Sequence, residues 1–292
     1  MRRFVLLMIA ITLAPSVCAQ IASSRSALRP ARALWVWKPA LFEDPGELEA
    51  LLAFTAKKRT STIFFSAATQ RLQHEPELYR RLIRRAHAQG ITVQALNGEP
   101  DWLFPDRRSG AVAFLEAVRH YDGESRPTER FDAIHLDVEP QSLPEWKAVR
   151  HEDLAARYLA FVDWIRDQAR PLALPLVVDV PVSFNRITAG PRSMSEAVLD
   201  RADQIVVMTY KDTAQKVVDA NRAKMESADA AGKKLWIGIS ADPSHLPANS
   251  ASGPAESDLE AIAASVEAAF QRHPSFLGVA IHDYARYRRL VP

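Results

Sequence analysis

The stretch Phe131-Asp132-Ala133-Ile134-His135-Leu136-Asp137-Val138-Glu139-Pro140 holds two carboxylates two residues apart in an apolar setting. In an extended strand side chains alternate between faces, so His135, Asp137 and Glu139 share one face while Ile134, Leu136 and Val138 share the other. Asp137 and Glu139 then stand ~7 Å apart along the strand. Two acids packed together away from water resist double ionisation, so one is expected to hold its proton near neutral pH. A protonated carboxylic acid beside a carboxylate is the equipment of glycosidic bond cleavage. A hydrogen-bonded polar plug with no chemistry is the alternative explanation for the same pattern.

Other chemistry-bearing residues recur just after apolar runs. Trp35 and Trp37 close the first run, and Glu99 and Trp102 follow the third. Asp179 ends the fifth, Tyr210 and Asp212 follow the sixth, and His282 and Tyr284 follow the last. Aromatic rings stack on the apolar faces of sugar rings, and carboxylates and imidazoles bind hydroxyl groups. Trp35 and Trp37 share a parity, which makes them either a sugar platform or packing beneath the N-terminal segment. A second arrangement uses Glu139 as acid/base with Asp179 or Asp242 as a protein nucleophile. A third gathers His135, Asp137, Glu139, His282 and Asp283 around a metal ion, although no helical His pair accompanies them. No cofactor is expected.

The elements that must position these groups are legible as alternation. Eight apolar runs begin at Leu34, Thr62, Ile91, Ala133, Leu176, Gln204, Leu235 and Leu277, continuous rather than alternating, as parallel strands buried on both faces require. Amphipathic segments intervene. Asp44-Pro45 reads as a helix start, Leu78 to Ala86 as an apolar stripe ending before Gly90, and Ser193/Glu196 and Ser257/Glu260 have capping-box spacing. The alternation predicts an α/β fold, a (β/α)8 TIM-type barrel in one domain over residues 34–292, with a final helix short or absent. A doubly wound sheet lacks support, because the segment from Lys38 to Asp44 carries no glycine-rich phosphate loop.

In that setting the residues resemble glycoside hydrolase family 18, the chitinases and their relatives. Asp132, Asp137 and Glu139 match the family's Asp-x-x-Asp-x-Asp-x-Glu strand-4 signature, and Met208-Thr209-Tyr210 is similar to its Met-x-Tyr stretch. The resemblance implies Glu139 as general acid, Asp137 orienting a substrate acetamido group whose oxygen attacks the anomeric carbon, and Tyr210 supporting that group. The chain departs from the pattern at His135, which replaces the middle Asp, at Lys211 after the Tyr, in strand 3, which lacks Ser-x-Gly-Gly, and at His282, where the family has a tryptophan floor. A non-catalytic, lectin-like barrel that kept its cleft is the alternative these departures leave open.

Composition sets the boundaries. The 292 residues are 48% hydrophobic and 25% charged, ordinary for a folded globular chain. Arg2 and Arg3 precede an apolar run from Phe4 to Leu13, and Val17-Cys18-Ala19 supplies small residues at a cleavage position. Residues 1–19 therefore read as a signal peptide cut after Ala19, and 20–33 as a polar lead-in, giving a secreted or periplasmic product. A lipoprotein acylated on Cys18 is the alternative, against which Val17 is bulky. Cleavage removes the sole cysteine and leaves basic and acidic residues equal in number, so neither disulfides nor nucleic-acid binding is expected. The Arg80, Arg81, Arg84 and Arg85 cluster reads as a solvated helix face. No later stretch is long enough to span a membrane. The expected partner is a polysaccharide or oligosaccharide; the oligomeric state carries no signal.

Overall fold

Eight parallel strands close into a ring, each hydrogen-bonded to two neighbours, in a computed structural model that describes residues 30–148, 150–247 and 254–291. The strands are β1 (Ala31–Val36), β2 (Thr60–Ser66), β3 (Thr92–Asn97), β4 (Ala133–Leu136), β5 (Leu176–Pro181), β6 (Gln204–Met208), β7 (Lys234–Ser240) and β8 (Phe276–His282). They follow one another around the ring in chain order, and β8 pairs with β1 to complete it. The expected (β/α)8 barrel is the architecture found. The segment read as a signal peptide lies outside the described residues.

Each helix forms where the sequence supplies a start and an apolar stripe. Helix α1 (Pro45–Lys57) begins on Asp44, whose carboxylate accepts from the Gly46 N–H, with Pro45 pre-set for the first turn. Helix α2 (Thr69–His74) leads into α3 (Pro76–His87), which buries Leu78, Tyr79, Leu82, Ile83 and Ala86. Its arginines answer to local acids: Arg80 pairs with Glu77, Arg84 with Glu129 and Arg85 with Glu49, while Arg81 donates to the Phe42 carbonyl. Then come α4 (Ser109–Glu124), α5 (Glu145–Ala148), α6 (His151–Ala169), α7 (Met194–Arg201), α8 (Ala214–Ala231), α9 (Glu256–Phe270) and a short α10 (Tyr284–Leu290). The Ser193/Glu196 capping box forms. The Ser257/Glu260 box does not. Helix α9 starts at Glu256, Asp258 reaches back to the Ala255 N–H, and Glu260 turns instead to Arg32.

That arginine explains why β1 opens at Ala31, inside the stretch read as polar lead-in. Arg32 is buried and donates through Nε to Glu267 at 2.7 Å and through Nη1 to Glu260 at 2.8 Å, both on α9. A charge this deep is tolerated because it is paired and hydrogen-bonded.

Two apolar layers result. The larger lies between ring and helices; the smaller fills the lumen with Ala33, Trp35, Phe64, Leu96, Ala133, Val177, Val206, Trp236 and Ala280. Trp35 has room because β7 places Gly238 opposite it: a Cβ there would stand 3.1 Å from the indole. Among the described residues no helix is long and apolar enough to cross a membrane.

Candidate active site

Above this apolar plug the lumen turns polar toward the C-terminal ends of the strands. The lowest tier is a chain of side chains from four strands. Trp35 on β1 donates its indole N–H to Asp179 Oδ2 on β5 at 3.1 Å. Asp179 Oδ1 lies 2.8 Å from His135 Nε2 on β4, and His135 Nδ1 lies 2.8 Å from Gln94 Oε1 on β3. Trp35, His135 and Asp179 are wholly buried. Burial drives His135 down to about 3. It also drives Asp179 well above the ordinary carboxylate range, opposed by the Trp35 bond and reinforced by the negative charge of Glu139. The pair is therefore uncharged. With the Gln94 carbonyl facing the ring, Nδ1 carries the imidazole proton and Nε2 accepts from a protonated Asp179.

The next tier carries Asp137 and Glu139, both half-buried. Backbone rather than side chains holds Asp137: its N–H donates to the Asn97 carbonyl at 3.1 Å, and Gly98 presses against it so closely that a Cβ would meet the Asp137 carbonyl oxygen at 2.1 Å. Its Oδ1 lies out of solvent with no hydrogen-bond partner. Burial raises Asp137 well above its usual range, and the charges of Asp179 and Glu139 push it further. Glu139 is also raised by burial, while Gln141 Nε2, donating to Oε1 at 2.9 Å, opposes the shift. No Lys or Arg pairs with either acid among the described residues. Tyr210, after β6, has a buried hydroxyl that lacks a partner too, and burial, together with Asp179, Asp137, Glu139 and Asp283, holds its pKa up.

An aromatic wall closes one side. His282 lies 5.4 Å from Tyr210 and 5.6 Å from Trp35, ring centre to ring centre, and His245 stacks on Tyr210 at 5.7 Å. Trp37 donates its indole N–H to His282 Nε2 at 3.0 Å, so the ring proton of His282 sits on Nδ1. Burial keeps His282 below its ordinary pKa.

The barrel thus brings together Trp35, Trp37, His135, Asp137, Glu139, Asp179, Tyr210 and His282. Of these, Trp35, His135 and Asp179 lie too deep to touch a ligand and serve as support beneath it. Three expected binding residues are not delivered. Trp102 is buried in the helix layer, stacked on Phe114 at 6.3 Å. Tyr284 packs there between Phe42 and Phe54. Asp212 points outward and pairs with Lys216 one turn into α8, at 2.7 Å. Their positions after strands did not reveal that short turns rotate them off the lumen. Glu99 is exposed and edges an open groove of about 540 Å³ with Asp101, Arg107 and Glu145. Gln94, Gln141 and His245 were missed. Gln94 had a signal, a buried amide at lumenal parity in an otherwise apolar stretch of β3; the loop residues Gln141 and His245 had none.

The other chemistries fit this geometry poorly. Asp179 is sealed below the cleft, and Asp242 caps Ser244 and pairs with Arg286, which hold it down to about 2. Neither is free to attack an anomeric carbon. Among the described residues no group of three or more His, Cys, Asp or Glu side chains is placed to hold a metal ion.

No family model and no curated protein sequence matches the chain. Solved structures do. The chitinase of Chromobacterium violaceum ATCC 12472 aligns with a TM-score of 0.52 at 15% identity, over 90% of this chain and 98% of that one. The PgaB (BpsB) glycoside hydrolase domain from Bordetella bronchiseptica aligns at 0.54 and 10% identity, over 89% and 96%. The GH18 chitinase ChiB of Flavobacterium johnsoniae gives 0.51 and 13%, over 88% and 89%. The fold is that of the chitinase-like glycoside hydrolases. In this barrel Asp137 and Glu139 follow the end of β4, and His282 ends β8 with its ring against Tyr210 and Trp35.

Proposed function

We propose that this chain is an exported glycoside hydrolase that cleaves a polysaccharide or oligosaccharide, with Glu139 as general acid and Asp137 and Tyr210 as its partners. One observation carries the reading. A buried acceptor, Asp137 Oδ1, and a buried donor, the Tyr210 hydroxyl, lie close enough for the acid's charge to act on the phenol, and neither has anything to bond. Orphaned polar groups are costly unless a ligand satisfies them. An amide supplies both complements: its N–H donates to Asp137 and its carbonyl oxygen accepts from Tyr210. An acetamido sugar so held has its carbonyl oxygen ready to attack C1. Glu139 gives its proton to the glycosidic oxygen, the C1–O bond breaks, and the acetamido oxygen takes up the electron-poor carbon until water, deprotonated by Glu139, releases it.

The test is turnover of a panel of β-linked N-acetylhexosamine and other oligosaccharides by the full chain and by Glu139→Gln. Turnover by the unmodified chain that falls ~10²-fold or more in the variant supports the reading, that being the scale of a general acid. Binding without turnover, unchanged by the substitution, supports the non-catalytic sugar-binding barrel instead. Recovery of the product outside the cytoplasm, with residues 1–19 missing, tests export.

A further inference from the structure

Beyond the wall formed by Trp37 lies a cavity of about 330 Å³ that the cleavage chemistry does not use. It opens on the same end of the barrel, between the segment after β1 and the start of α10. Trp37, Lys38, Leu41, Asp283, Arg286 and Arg289 line it. Trp37 is the shared partition: its indole N–H bonds His282, whose ring lies against Tyr210 and Trp35. A saccharide in the cleft is thus one side chain away from this cavity.

Its charge is unbalanced. Arg286 is committed, donating to Asp283 and to Asp242. Asp283 is equally committed, accepting from the Arg286 side chain and from the Arg286 N–H at the head of α10. The adjacent Arg288 pairs with Glu47. That leaves Lys38 and Arg289, both exposed, and neither has an ion pair among the described residues. The cavity therefore offers two uncompensated cations, one flexible and one a planar fork, beside an indole and the apolar Leu41. Tyr284 also lines the cavity, with a hydroxyl that has no partner and can donate as well as accept, but the sole carboxylate of the lining is committed; two uncommitted cations beside it suit an anion.

We propose that this cavity is a subsite for an anionic substituent on the saccharide (a carboxylate, sulfate or phosphate ester), held by Lys38 and Arg289 with the sugar ring against Trp37. The proposal rests on the reading of the cleft as a saccharide site and names the class of saccharide it prefers.

Binding and turnover are compared for a neutral oligosaccharide and for the same backbone bearing one carboxylate, one sulfate or one phosphate, using the full chain and the Lys38→Ala/Arg289→Ala double variant. The expected result is tighter binding of at least one charged oligomer, lost by about tenfold or more in the double variant and weakened by salt, with the neutral oligomer unmoved. The differences among the three substituents identify the anion. Equal binding of neutral and charged oligomers, or a double variant that weakens both alike, overturns the subsite while leaving the cleavage reading intact. Failure of every oligomer to bind or be cleaved overturns both.

Discussion

His135 and Asp179 replace a charge with a shared proton. Both are out of water, and their bonds to Gln94 and Trp35 close when Asp179 is neutral. Because the folded chain holds the Asp179 proton more tightly than the unfolded chain does, this group favours folding at low pH. That contribution fades as pH rises above the unfolded value of ~3.9 toward the raised folded value, at ~1.4 kcal/mol for each pH step between the two. His135 works in the opposite sense on the acid side, since its folded pKa of about 3 lies below the unfolded one, so stability falls as pH drops below ~6.5. Asn at position 179 reproduces the protonated acid, donating to His135 and accepting from Trp35. Asp179→Asn is therefore expected to melt at or above the unsubstituted chain at pH 8, by ~2–4 °C per kcal/mol gained, with the advantage shrinking toward pH 4. A loss of stability at every pH would mean that the Asp179 carboxylate is ionised in the folded chain. The turnover of Glu139→Gln, read across pH, should lose the alkaline limb that deprotonation of a raised Glu139 imposes on the unsubstituted chain.

At the level of elements, the closeness of β3 and β4 is what aims the acids. Gly98 allows the turn after β3 to lie on the Asp137 backbone, and a methyl group there must displace β4. Gly98→Ala should destabilise the fold by ~1–3 kcal/mol, as overpacking does, and should lower turnover even in the fraction that stays folded. Gly123→Ala, in α4 where an added Cβ meets nothing within 4 Å, serves as the control and should be neutral or slightly stabilising by thermal melting and turnover. The strands were legible because double-sided burial writes continuous apolar runs, and the lumenal set His135, Asp137 and Glu139 because strand parity is rigid. Trp102, Tyr284 and Asp212 were misread because a turn of unknown shape separates each from its strand. The onset of β1 was hidden for a different reason: Arg32 looks polar until Glu260 and Glu267 arrive from α9.

For the molecule as a whole, that arginine sits at the seam where the first strand meets the last. Arg32→Ala would take the nearest cation from two acids, leaving Glu267 with Arg59 at 3.6 Å and Glu260 with the Tyr287 hydroxyl, and is expected to cost ~1–3 kcal/mol, read as a lower urea midpoint with an unchanged slope. Arg32→Lys, which keeps the charge but loses the fork, should fall between the two. The same seam dictates an order of assembly. Until Phe276–His282 has been made, β1 and β7 each present a row of unsatisfied amides and carbonyls, open to any extended peptide nearby. Closure joins segments more than two hundred positions apart, so it comes late and slowly, and a chain interrupted before its eighth strand is left with two adhesive borders and no means of joining them.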